Sequence, residues 1–385
     1  MGMTQLVRVL CLVSAADAST VFMNTALRHA LGPELANHVS NLYWDEFDRN
    51  EFGPLIHYDR EMLENGRVVR IDRKISVHLY SSIFQLTNGQ IIKYQVNCEN
   101  MKDPLDIHPL VRDFIFLKAV EDLKVSPQAH FLSLGIKFEN VDSPKVNFSM
   151  DPQERDICAK DARSILRFMV MEKALISFDT LLKGSETRSE KISLASVVSL
   201  IAGAVSALSE LHIKKNIIHG DVHYGNLVLL NAERKVGLID FGSASYLSEL
   251  QLTQDMSREP FSYNHCYLSH WNLEGYRFSF RDDIYKAIFA GAMMLNGSPF
   301  VRFCRTTDIH TLYEFKANGF FFNLPNHPDM ISQVPNIRPE QVGEIRAHLN
   351  QVLLQIRSVN TLDAMPPYRE ILAQLDAVLA ILTIP

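Results

Sequence analysis

At 385 residues the chain has room for two domains, at about 100–200 residues each. A hydrophobic fraction of 47% and a charged fraction of 21% are those of an ordinary soluble globular protein. Net charge is −6 with lysines and arginines scattered, which excludes a nucleic-acid or anionic-membrane surface as the main business of the fold.

The N-terminal stretch permits two readings. Val9–Val13 followed by Ala16-Asp17-Ala18 has the outline of a signal peptide (1–18), although Arg8 interrupts its short apolar core. The alternative is a strand, Thr4–Val13, leading into a helix capped by Asp17 or Ser19. Five cysteines (Cys11, Cys98, Cys158, Cys266, Cys304) form no CxxC pair and no metal-ligand spacing, which favours free thiols in a reducing compartment. A cytoplasmic location is therefore favoured and secretion stays open. Ser19–Gly32 and the stretch from Pro33 to Leu42 have helical punctuation, and Asn41–Tyr58 is aromatic and acidic. Residues 1–66 form an extension to which no chemistry attaches.

From Arg67 the pattern turns to short runs rich in β-branched and aromatic residues: Val68–Ile71, Ser76–Tyr80, Ile83–Leu86 and Gln90–Val96. Asn88-Gly89 between the last two is a strong hairpin signal. Lys93 falls in the middle of the following strand, where it is either a solvated side chain or an inward one. No glycine occurs between Gly66 and Gly89. Pro109–Leu123 reads as an amphipathic helix with Leu110, Phe114, Leu117 and Val120 along one side and the carboxylates Asp113 and Glu121 within it. His130–Phe138 and Ser164–Met171 are further strands. The polar, proline-punctuated stretch Glu139–Asp161 between them is an insertion, and its Asn147-Phe148-Ser149 would accept a glycan only in a secreted protein.

Ile192–Ser209 carries no charge over 18 residues, near the lower limit for spanning a bilayer. Its serines and its flanks fit a buried helix better, so no transmembrane segment is expected. Next comes Asn216–Tyr246. Asp221 is followed five residues later by Asn226, and Asp240-Phe241-Gly242 comes fourteen residues after that. Between them, the apolar runs Leu227–Leu230 and Val236–Ile239 flank a polar turn and predict a hairpin that brings Asn226 and Asp240 to one sheet edge. Gln254–Asn264 is polar. Ser279-Phe280-Arg281-Asp282-Asp283-Ile284 opens a central helix, Asp282–Leu295, in which either Asp282 or Asp283 fits an N-cap. Arg338–Ser358 and Pro367–Leu382 are the last predicted helices.

His219-Gly220-Asp221-Val222-His223-Tyr224-Gly225-Asn226 and Asp240-Phe241-Gly242 resemble the catalytic and metal-binding loops of the protein-kinase superfamily. Tyr267-Leu268-Ser269, Gly275 and Ser279–Ile284 resemble the casein kinase 1 group. The resemblance covers residues 67–300 and implies an α+β, bilobal fold. Residues 67–172 would make a small β-rich N-lobe and 173–385 a larger helical C-lobe.

It also implies the roles. ATP would lie between the lobes, with Met171, Glu172 and Ala174 at the adenine and Val228 against the ring. Lys93 would orient the phosphates, steadied by Asp113, or by Glu121 as the fallback. Asn226 and Asp240 would hold Mg2+, and Asp221 would take the proton of a Ser/Thr hydroxyl on a protein substrate. Asp283 would cap the catalytic loop. His223 stands where the family has a lysine, so the charge there depends on pH. Gly220 stands where it has an arginine, which implies activity independent of loop phosphorylation.

Two alternatives belong beside this reading. The loop alone also resembles aminoglycoside and choline phosphotransferases. The missing glycine-rich loop, with Asp113 for glutamate and Gly220 for arginine, fits a degenerate kinase fold serving as a binding module.

Overall fold

The computed structural model describes residues 61–64, 67–77, 82–86, 88–98, 109–138, 164–188, 192–231, 235–247, 265–274, 278–296, 303–304, 306–318, 337–359, 361 and 363–383. The signal-like stretch, the two N-terminal helices, the 139–161 insertion, Gly275 and the polar 254–264 segment lie outside them. The structure mixes helix and sheet, with helix in the majority. The described residues fall into two compact units. One runs to Lys173 without residues 122–126, and the other consists of those five and the chain from Ala174.

The first unit is an antiparallel sheet of six strands: β1 (Glu61–Glu64), β2 (Arg67–Val77), β3 (Ser82–Leu86), β4 (Ile91–Cys98), β5 (Ala129–Phe138) and β6 (Ser164–Met171). Their order is β1-β2-β3-β4-β6-β5. Two expected strands, Val68–Ile71 and the start of Ser76–Tyr80, are one continuous β2. Its pairing with β3 shifts register between Ile71 and Arg73 and again between Lys74 and Ser76. Such bulges let a polar stretch pass without ending the strand, which is why composition alone divides it in two. Glu61–Glu64 pairs with the start of β2, so the sheet begins within the stretch read as an extension.

Helix α1 (Pro109–Ala119) packs on β5 and β6. Leu110, Phe114, Ile115, Phe116 and Leu117 are all buried, and each is worth about 2 kcal/mol against exposure. Burial on more than one face explains why the simple stripe of the sequence understates this helix. It stops short of Leu123, passing into a tight turn at Glu121–Leu123 before Lys124, whose φ is 53°.

In the second unit a three-stranded sheet joins β7 (Ile176–Ser177), β9 (Leu227–Leu229) and β10 (Val236–Leu238), and a two-stranded one joins β8 (Ile217–Ile218) and β11 (Ser245–Tyr246). Helix α2 (Phe178–Arg188) follows β7. The long helix α3 (Leu194–Lys215) starts at Ser193, whose hydroxyl accepts from the Ser196 N–H. It ends at Asn216 in the left-handed conformation, φ 54°.

Beyond the short α4 (His270–Leu273), helix α5 (Phe280–Asn296) packs on α3. Helices α6 (Ile309–Asn318), α7 (Pro339–Arg357) and α8 (Tyr368–Thr383) complete the unit, with α8 on both α3 and α7. Among the described residues α3 is long and apolar enough to cross a membrane, yet 50% of that stretch is buried by α5, α8 and β10. It is the core helix of this unit.

Candidate functional site

In the first unit, Lys93 sits in the middle of β4, between Ile83 of β3 and Met169 of β6. Its Nζ lies 2.9 Å from Asp113 Oδ2 of α1, and both side chains are largely withdrawn from water (12% and 2% exposed). Glu121 is engaged elsewhere, with Lys118 at 2.7 Å and with the Gln128 amide. Of the two carboxylates on this stretch, Asp113 is therefore the one that meets Lys93. At the end of β6 Met171 is buried, and the Glu172 N–H donates to the Gln128 carbonyl at 2.8 Å. That leaves the Glu172 carbonyl, not its N–H, for an external partner.

In the second unit, the hairpin forms in the register Leu227↔Leu238, Val228↔Gly237, Leu229↔Val236. Asn226 enters it and Asp240 leaves it at the same end, and the Ile239 N–H donates to the Asn226 carbonyl at 3.0 Å. Val228 is buried inside the sheet. Asp240 has φ 64° and ψ 68°, a left-handed conformation that aspartate tolerates better than most residues. Phe241 behind it is buried against the His219 ring, with centroids 4.7 Å apart.

The Asn226 amide nitrogen donates to the Asp221 carbonyl (2.9 Å) and to Asp221 Oδ2 (3.2 Å). With its N–H groups so directed, the Asn226 Oδ1 is the atom left for a cation. Asp221 itself keeps about a quarter of its side chain exposed (26%). Among the described residues no group of three or more His, Cys, Asp or Glu has metal-binding geometry. A cation here would rely on one amide and one carboxylate, with water or a ligand supplying the rest, as hard magnesium accepts.

The loop from His219 to Asn226 is held from behind by α5. Asp283, fully buried, accepts from the His219 N–H (2.7 Å), the Gly220 N–H (3.0 Å) and His212 Nε2 (3.1 Å). Burial works against its charge, but the His212 hydrogen bond and the electrostatic influence of the nearby His212, His219 and Lys286 outweigh that and hold Asp283 below the usual carboxylate range. His212, at the end of α3, has its other ring nitrogen 2.6 Å from the Tyr368 hydroxyl, and burial lowers its pKa. The neighbouring Asp282 takes the Ser269 and Ser279 hydroxyls instead, and burial raises its pKa. The two adjacent aspartates thus divide the roles: Asp283 faces the loop and Asp282 ties the start of its own helix to α4.

His223 accepts from the Gly225 N–H at Nδ1 (3.0 Å), which places its proton on Nε2, 3.7 Å from Asp221 Oδ2. A Cβ on residue 225 would lie 2.7 Å from the ring, so glycine is required for this approach. Burial pushes the His223 pKa down while Asp221 and Asp240 pull it up. The expected pH-dependent charge is thus available only when the Gly225 bond is given up. Tyr267 stacks on this ring at 4.7 Å and donates to the Tyr224 hydroxyl at 3.0 Å. Nothing in the sequence marks that contact, because the two residues are 44 apart and joined only by tertiary packing.

Lys316 of α6, completely buried, donates to the carbonyls of Cys266 (2.8 Å) and Leu268, on either side of Tyr267. Burial holds this lysine at about 8 against an ordinary 10.5, with Cys304 and Cys266 pulling the other way. Between those values the unfolded chain keeps a proton that the folded one has lost, so stability from this group rises as pH rises from 8 to 10.5. The expected gain of wild type over Lys316→Met between pH 7.5 and 9.5 is roughly 2 kcal/mol in urea unfolding. A gap that stays constant across that range would contradict the buried ammonium.

No protein-family model matches the sequence, and no curated protein does. Solved structures do match, among them one described as the crystal structure of BubR1 kinase domain, with TM-score 0.51. It shares 12% identity and covers 89% of this chain and 93% of that one. The fold is protein-kinase-like. At that identity the likeness is one of fold alone, and it does not single out the casein kinase 1 group.

Proposed function

We propose that the chain is an ATP- and Mg2+-dependent protein kinase that transfers the γ-phosphate to Ser/Thr hydroxyls of protein substrates. The observation that carries this is the end of the β9–β10 hairpin. There Asn226 is turned by Asp221 so that its oxygen is free for a cation, with the Asp240 carboxylate leaving the same sheet edge. Asn226 Oδ1 and Asp240 would hold magnesium, which when bound supplies charge neutralisation on phosphate oxygens. Asp221 would orient the acceptor hydroxyl and receive its proton. Lys93, fixed by Asp113, would hold the α- and β-phosphates. Met171, the carbonyl of Glu172, Ala174 and Val228 are the adenine contacts of this reading. Positioning and electrostatics would supply most of the rate. The resemblance of Tyr267–Ile284 to the casein kinase 1 group favours a protein over a small-molecule acceptor.

A second reading, a binding module on a kinase-like fold, is favoured by the glycine-free stretch 67–88 and by a His223 ring without charge. Thermal shift with ATP, with and without Mg2+, together with turnover on casein, choline and an aminoglycoside, separates the readings. Magnesium-dependent binding with casein phosphorylation is the expected result. Binding without turnover would favour the module. Turnover on choline or the aminoglycoside alone would move the acceptor to small molecules, and neither binding nor turnover would end the kinase reading.

A further inference from the structure

The residue before Asp221 has no side chain to hold it. Gly220 has φ 79°, and a Cβ there would lie 2.8 Å from the Ser243 carbonyl oxygen, so the conformation and the contact both demand glycine. The peptide that follows determines where Asp221 stands. Because that peptide is planar, fixing the Gly220 carbonyl fixes the Asp221 nitrogen with it. The nitrogen's own bond, to His219 Nδ1, is long at 3.4 Å.

Both polar groups of Gly220 are taken by one face of α5. Its N–H goes to Asp283 Oδ1 at 3.0 Å, and its carbonyl receives Lys286 Nζ at 2.8 Å. Residues 283 and 286 are three apart and project from the same side of the helix. Lys286 is almost wholly buried, with its ammonium 4.1 Å from the Phe278 ring centroid. Burial lowers its pKa while Asp282, Asp283 and Asp221 pull it up. An ammonium in the interior is costly, and methionine would fill the same space without that cost. Here the cost is offset by three carboxylates and by a carbonyl that would otherwise be buried without a donor.

We propose that Lys286 is the positioning residue for Asp221: from the central helix it clamps the Gly220–Asp221 peptide and brings to the loop the positive charge that residue 220 cannot carry. The catalytic half of this inference rests on the role given to Asp221 above. The clamp itself does not.

Two measurements keep them apart. In the wild-type chain, hydrogen exchange at the Gly220 and Asp221 amides should be slowed to the level of the core of α5. Exchange there as fast as in the exposed turn at 88–90 would overturn the clamp, whether or not any variant folds. In casein phosphorylation, Lys286→Met should lower kcat about a hundredfold with KM for ATP within twofold, as a misplaced catalytic group does. Lys286→Arg, which keeps charge and donors, should recover at least a tenth of wild-type kcat. Unchanged kcat in Lys286→Met, or a rise in KM with kcat intact, would overturn the positioning role. Slowed exchange in a chain with no phosphotransfer would leave the clamp standing and remove the kinase reading.

Discussion

Replacing Asp283 by alanine is expected to destabilise the second unit by about 3–5 kcal/mol, the usual cost of removing one partner from a buried, charged network. The carboxylate accepts from two backbone N–H groups and one imidazole, all buried, and alanine leaves each without an acceptor. It also takes one of the three carboxylates away from the Lys286 ammonium. Urea unfolding followed by far-UV circular dichroism would read the loss. Asp283→Asn should fall between wild type and alanine, because its amide keeps one acceptor oxygen but turns N–H groups towards other donors. A loss below 1 kcal/mol for the alanine variant would mean that the loop is held by something other than this side chain.

Two substitutions at the hairpin end should have the largest effects on activity. Asp221→Ala and Asp240→Asn are each expected to lower kcat on casein about a thousandfold, the scale on which acid–base and electrostatic groups act. Their binding behaviour should differ. Asp221→Ala should keep the magnesium-dependent part of the ATP thermal shift, since Asn226 and Asp240 remain. Asp240→Asn should lose that part while retaining a residual shift from nucleotide alone. Phosphorylation at the wild-type rate in Asp240→Asn would show the metal assignment to be mistaken.

Much of this was legible in the sequence, because the informative features are local. The β9–β10 hairpin follows from two apolar runs and a polar turn, and it carries Asn226 and Asp240 to one edge without tertiary help. Lys93 could be placed on a strand because Asn88-Gly89 fixes the hairpin before it. Asp113 was preferred over Glu121 through the resemblance alone, and in the structure it is Asp113 that lies 2.9 Å from Lys93.

What stayed hidden depends on parts of the chain far apart. Lys286 meets Gly220 across 66 positions, and in the sequence it is one of two cations, with Arg281, near the start of a helix that is apolar beyond it. Tyr267 reaches His223, and Lys316 reaches the carbonyls around Tyr267, through packing that no periodicity encodes. The bulges in β2 were missed because an extra residue in one strand is decided by its pairing partner.

The bond between Tyr368 and His212 gives the molecule a sense of direction. With Asp283 able only to accept, the imidazole offers its Nε2 hydrogen there and turns Nδ1 to the phenol at its far side. Helix α8 thereby bears on a residue 156 positions earlier. Losing that phenol would leave Nδ1 buried without this partner, and the disturbance would arrive at the loop through a single carboxylate.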